Sequence, residues 1–210
     1  MHIGFKIIFR WIYQKVIVRG NLNNLRRKGK SLKTKETRGK FNIGKNIKDR
    51  PKEVRKREKI GHWELDTVVS SSGKSKYCLS TFVDRKSIYL IDKVINNRKS
   101  ATFNFHCFKA FDSIPNNLIK TFTADRGKEF ASYNEIEKRL NAEVYFADPY
   151  SSWQRGTNEN TNGLIREFYP KKFDFAKITP NELDIVVNII NNRPRKCLRY
   201  KTPAEVLAAT

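Results

Sequence analysis

Three acidic residues stand at positions where an acid needs a reason. Asp66 interrupts the apolar stretch HWELDTVV, where a carboxylate buried alone would be costly. Asp125 closes the apolar run LIKTFTA and is followed by Arg126 and Gly127. Ends of strands are where open α/β sheets bind ligands, and Gly127 permits an unusual turn just behind. Glu159 sits in QRGTNENTNGLIRE, among Asn158, Asn160 and Asn162, which are poor helix formers and hard to justify as packing. Taken alone, each acid has an ordinary reading: a solvent-facing strand position, a strand-to-loop Asp with Gly, a solvated helix face. Taken together they describe chemistry. Three gathered carboxylates repel one another and tend to take up protons. Divalent cations remove that conflict, and hard oxygen ligands facing phosphate point to Mg²⁺, with Mn²⁺ as substitute. Two ions about 4 Å apart would activate an attacking oxygen and stabilise the leaving one in an in-line displacement at phosphorus. Such chemistry requires no His or Cys nucleophile.

The flanking pattern predicts the elements that must bring the acids together. Residues 62–70, 76–84 and 87–94 read as three successive strands, with turns at Ser71, Ser72 and Gly73 and at Arg85-Lys86. A helix is expected over 99–112 with Ser100 as N-cap, a buried strand over 118–124, and a short strand over 143–147. Ser132 to Glu135, Thr179 to Glu182 and Thr202 to Glu205 match the capping-box pattern. Pro180 and Pro203 stand at the favoured first helical position. A polar helix is expected from about 155 to 168, with Glu159, Asn162, Gly163 and Arg166 on one face. This order predicts an α/β fold: a ribonuclease-H-like, mixed five-stranded sheet flanked by helices. In that arrangement the first and fourth strands are neighbours, and the helix after the fifth crosses the same end. Alternation puts Trp63 and Leu65 on one face, and Glu64, Asp66 and Val68 on the other.

Charge marks a second region. The chain has 210 residues and a net charge of +22. Residues 1–60 hold 20 basic and 4 acidic side chains, the composition of a polyanion binder. Helical spacing covers 5–18, and 26–59 reads as an extended, loosely ordered linker. The expected organisation is therefore a basic arm over 1–59 and a catalytic core over 60–210. Cys78, Cys107 and Cys197 are widely spaced and odd in number, which predicts reduced, mostly buried thiols. Lys6 and Arg10 interrupt the apolar start, and no small-residue cleavage site follows. The expectation is neither secretion nor a membrane span, but a cytoplasmic protein.

Other residues have weaker readings. His62 and Trp63 suit structural roles at a strand start. Trp153 is equally a packed anchor or part of a loop that positions a ligand. Glu64, Asp84 and Glu129 are rival carboxylates, better read as partners of the many basic residues. Asn191, Asn192, Arg193, Arg195 and Lys196 would suit phosphate contact, although Pro194 makes a helix-ending loop a sufficient account of part of that stretch.

Four stretches carry a resemblance: GHWELDTV, TFTADRGKEF, YFADPYSSWQRGTNENTNGLIREFYPK and NNRPRKCLRYKTPAEVL. Over roughly residues 60–207 the chain resembles the IS30 family of insertion-sequence transposases, within the DDE transposase and retroviral-integrase superfamily. The resemblance implies that Asp66, Asp125 and Glu159 hold two Mg²⁺ ions and catalyse strand cleavage at element ends and strand transfer into target DNA. It implies that Arg166, seven places after the Glu, contacts DNA at those ends. Arg155, Asn162, Lys128 and Arg126, with Arg26, Arg27 and Lys28 in the arm, are the other expected DNA contacts. Copies of the chain are expected to assemble on DNA, in association with the nucleoid. Leu65, Arg126 and Arg199 depart from the frequent Gly, Asn and Gly of relatives. FRWIYQK and LRRKGK resemble only the tail of the family's helix-turn-helix region, so the chain is expected to be truncated there. The alternatives are a non-catalytic DNA-binding remnant that inhibits a full-length relative, or a ribonuclease acting on RNA–DNA hybrids.

Overall fold

The structure, a computed structural model, describes residues 3–22, 43–70 and 75–209. It divides into two units, Met1–Thr37 and Arg38–Thr210. In the first, α1 (Phe5–Tyr13) is strongly amphipathic but has no buried residue. It stops short of residue 18: Lys15 and Val18 both take positive φ, a conformation that ends helices.

The second unit is built on one mixed sheet. Its strands are β1 (Lys45–Asn46), β2 (His62–Val69), β3 (Cys78–Asp84), β4 (Leu90–Ile95), β5 (Thr121–Ala124) and β6 (Glu143–Phe146), in the spatial order β1-β6-β5-β2-β3-β4. β2, β3 and β4 are antiparallel; β5, β6 and β1 add in parallel. The sixth strand is a departure from the five expected. It comes from the segment read as linker, because Lys45 and Asn46 find the open edge of β6. The rest of that segment also joins the fold through α2 (Glu53–Lys56), whose Val54 is completely buried. The compact unit thus begins well ahead of residue 60. Basic composition hid this, since a few apolar anchors suffice to dock an otherwise charged segment.

Side-chain alternation builds a core on each face. Trp63, Leu65, Phe82, Phe122 and Phe146 pack against α3 (Ser100–Phe111) and α4 (Tyr133–Leu140). Edge-on ring pairs such as Trp63–Phe111, with centroids 5.0 Å apart, lock that face. Val68, Leu79, Val83 and Leu90 pack on the other face against α5 (Gly156–Phe168) and α6 (Pro180–Asn191). Both cores agree with the parity read from the sequence. The last helix is α7 (Pro203–Ala208).

Local capping chemistry succeeded twice and failed twice. The Thr179–Glu182 and Thr202–Glu205 boxes both form. Ser132 makes no cap bond; its hydroxyl donates to Ser100 Oγ at 3.1 Å, while Glu135 accepts from Asn104 at 2.8 Å. Contacts with α3 outcompete the local ones. Ser100 is the first residue of α3, and Lys99 is its N-cap.

Asp92 on β4 is 2% exposed, and neither of its oxygens has a side-chain partner. Burial pushes its carboxyl well above the ordinary range. The folded chain therefore keeps a proton that the unfolded chain releases near about pH 4, and stability falls as pH rises from there through the folded value. Asp92→Asn removes that linkage. Its stability relative to the parent should improve steadily as pH rises from acid to neutral, because the buried amide has no proton to lose. Denaturant melts at about pH 4 and about pH 8 check this.

Candidate active site

Strand register brings two of the three acids together. β2 and β5 run parallel with Glu64 opposite Thr123. Two residues further along each chain stand Asp66 and Asp125, on the face that Glu64 and Thr123 share. The juxtaposition is visible in a shared partner. Arg155, immediately before α5, places Nη1 3.2 Å from Asp66 Oδ1 and Nη2 3.2 Å from Asp125 Oδ2. The same Nη1 donates to the Leu65 carbonyl at 3.3 Å. Asp66 is held further by the Thr67 amide at 2.9 Å and by Asn162 Nδ2 at 3.0 Å. Burial alone would lower the Arg155 guanidinium, but the charges of Asp66 and Asp125 outweigh it and raise it. The Asp125 carboxyl is raised as well. Its burial, with Asp66 and Glu129 nearby, lifts its carboxyl above the ordinary range despite Arg155.

Glu159 lies on α5, exposed. It is three residues before Asn162 on the helix, so the two share a flank; Asn162 and Arg155, the residue just before α5, both reach Asp66. Among the described residues, no three His, Cys, Asp or Glu side chains are close enough to hold a metal ion. The structure thus gathers Asp66 and Asp125 around one cationic group and leaves Glu159 on the adjoining flank. The donor set suits a hard divalent cation: two carboxylates already converge on a single positive charge.

The polar helix has a physical account that its composition concealed. Thr157, Asn158 and Thr161 point at the sheet and are buried, facing the acid-bearing side of β2. Gly127 also has a different role from the one expected. Its φ is −72°, open to any residue. What it provides is space: an added Cβ would stand 2.6 Å from Glu129 Oε2 and 2.8 Å from Asp125 Oδ1. Gly127→Ala should therefore cost about 1–3 kcal/mol of stability, since the buried Glu129 carboxylate, held by Arg98 and Thr67, must shift. It should push the Asp125 carboxylate aside and slow catalysis roughly tenfold or more. Thermal melts alongside single-turnover cleavage separate the two effects.

The remaining candidates divide by partner. Arg166 donates to the Val69 carbonyl at 2.7 Å and lies over the Phe175 ring. Arg126 donates to the Ile43 carbonyl at 3.5 Å, and Lys128 is exposed. Arg26, Arg27 and Lys28 lie outside the described residues, as does the turn at Ser71, Ser72 and Gly73. Trp153 is 73% exposed, which removes the core-anchor reading. Glu64 pairs with Arg85 and Glu129 with Arg98. Asp84 differs from that expectation: it accepts from the Gly61 and Ser87 amides at 2.9 and 2.7 Å and so holds a turn. His62 Nδ1 meets Thr121 Oγ1 at 2.9 Å, a structural contact. Cys78 and Cys107 are buried and Cys197 is exposed, all as free thiols. A cavity of about 460 Å³ beside β4 is lined by Asp92, His106 and Leu183, among others, and by none of the three acids. No helix among the described residues is long and apolar enough to cross a membrane.

A mixed sheet with helices on both faces and two adjacent strand-borne Asp residues defines a class, the ribonuclease-H-like integrase core. Residues 56–152 match the integrase core domain family. The fold is similar to the catalytic core domain of BIV integrase, with a TM-score of 0.56 at 15% identity, over 72% of this chain and 95% of that one. The chain is 43% identical over 194 residues to the transposase InsI of insertion sequence element IS30A from Escherichia coli (strain K12), covering 89% of this chain and 50% of that protein. It is 36% identical over 211 residues to the transposase of element IS4351 from Bacteroides fragilis, covering 97% and 63%. The chain belongs to the IS30 family of transposases. It spans about half to two-thirds of the length of these relatives.

Proposed function

We propose that this chain is the catalytic part of a DNA transposase, which cleaves strands at the ends of an insertion sequence and joins them to target DNA. The observation that carries this reading is the convergence of Asp66 and Asp125 on one cationic group, 3.2 Å from each. In the proposal Asp66, Asp125 and Glu159 hold Mg²⁺, or Mn²⁺ in its place, and Glu159 turns in from its flank to complete the set. Ions held there would supply activation of the attacking oxygen and charge stabilisation of the leaving one at phosphorus. Asn162 orients Asp66, and Arg155, released from the acids, becomes available to phosphate oxygens. Lys128, Arg126 and Arg166, with Arg26, Arg27 and Lys28 of the arm, add DNA contacts that strengthen binding without reading sequence. Copies of the chain assemble on the DNA.

The test is incubation of the full chain with Mg²⁺ or Mn²⁺ and linear DNA carrying the element's terminal repeats. Metal-dependent nicking or joining at the repeat ends is expected. A folded chain that binds this DNA but never cuts it would leave the non-catalytic DNA-binding reading in its place.

A further inference from the structure

Glu64 is completely buried, two residues before Asp66 on the same face of β2. Its carboxylate is nevertheless satisfied. Arg85, itself buried, forms an ion pair with it. The Thr157 hydroxyl donates to Oε1 at 3.0 Å, and the Asn158 backbone N–H donates to Oε2 at 2.9 Å. Thr157 and Asn158 are the second and third residues of α5, where backbone N–H groups lack helical partners. α5 has no cap of its own, since Arg155 at the N-cap position makes no side-chain cap bond. A carboxylate from the sheet does that work instead, and its negative charge suits the positive end of the helix. Arg85 continues the chain of contacts to the Val54 carbonyl at 3.4 Å.

The consequence is geometric. Arg155 immediately precedes the clamped turn, and Glu159 and Asn162 follow it. Asp66 and Glu64 alternate along one strand, so the residue that would bind metal and the residue that grips the opposing helix share one backbone. Resting on the reading that Glu159 completes the metal set, we infer that Glu64 is a positioning residue. Its buried carboxylate caps α5 from the sheet and holds Glu159 in register with Asp66 and Asp125. Glu64 touches neither substrate nor metal.

The test uses the full chain with Glu64→Ala, Glu64→Gln and Thr157→Val. Glu64→Ala should speed amide hydrogen exchange at residues 157–160 at least about tenfold while β3 amides keep their protection. It should weaken binding of Mn²⁺ alone and lower the turnover of DNA cleavage at least about tenfold, with the KM for DNA unchanged. Glu64→Gln keeps an acceptor for the Asn158 N–H and should recover part of each loss. Thr157→Val removes one donor and spares the ion pair; it should act in the same direction, more weakly, and it decides the matter if the Glu64 variants do not fold. Unchanged exchange in α5, uniform acceleration across the sheet, or a raised KM with unaltered turnover would overturn the inference. If the parent chain never cleaves DNA, the proposed function fails alone, and the exchange and Mn²⁺ measurements still decide the role of Glu64.

Discussion

Asp66→Asn is expected to lower metal-dependent cleavage by about a thousandfold while the chain stays folded. The size follows from what a metal-holding carboxylate contributes. Charge stabilisation by a bound ion is worth several kcal/mol at the transition state, and each 1.4 kcal/mol or so is about tenfold in rate. The fold survives because the amide is nearly the same shape. It still offers an oxygen to the Thr67 N–H and to Arg155, which now hold Asp66 at 2.9 and 3.2 Å. The other atom becomes a donor facing Asn162, whose Oδ1 is buried without a partner. Turning over the Asn162 amide pairs that oxygen with the new donor. The stability change should therefore stay within about 1 kcal/mol. End-labelled DNA with terminal repeats gives the rate, and circular dichroism melts give the stability. A variant that cuts as fast as its parent would remove Asp66 from the chemistry.

Arg155→Ala has the second largest expected effect, on the metal-free protein. The guanidinium is 13% exposed and neutralises two acids at once. Removing it leaves Asp66 and Asp125 to repel each other, and the Leu65 carbonyl loses a donor. Without added metal the variant should be less stable by about 1–3 kcal/mol. That range allows for Asp125 being 43% exposed and partly screened by water. For a chain of this size the loss corresponds to a Tm lowered by about 2–4 °C per kcal/mol. Mg²⁺ should restore more of the stability in the variant than it adds to the parent, because only in the parent does an ion have to displace a cation already in place. Melts in a chelator and across a Mg²⁺ series measure this. Equal metal responses in the two proteins would show that Arg155 and the ion do not compete.

Arg155 plays a different part from the one its sequence context suggested. In a strongly basic chain an arginine beside a polar helix reads as a DNA contact. Nothing local to SSWQRG says that its side chain turns inward to two acids from distant strands. Glu64 is a similar case. Its neighbours mark it as an ion-pair partner, which it is, but its second task depends on α5 arriving with Thr157 and Asn158 facing it. Ser132 and Glu135 show the opposite outcome, where a correct local signature was overridden by contacts with α3.

Short-range chemistry accounts for much of the molecule. Period-2 alternation in HWELDTVV set which side chains enter which core, and Thr179 and Thr202 begin their helices because the capping groups lie within one turn. Residue types unusual for their positions singled out the acids at 66, 125 and 159; of these, Asp66 and Asp125 share the Arg155 guanidinium and Glu159 stands on the adjoining flank. Long-range pairing settled the rest. The β2–β5 register puts Asp66 beside Asp125, β1 finds the free edge of β6, and the Glu64 clamp sets the approach of α5. The physical reason is that register, edge pairing and helix docking each depend on groups dozens of residues apart, whose mutual fit no window of sequence contains.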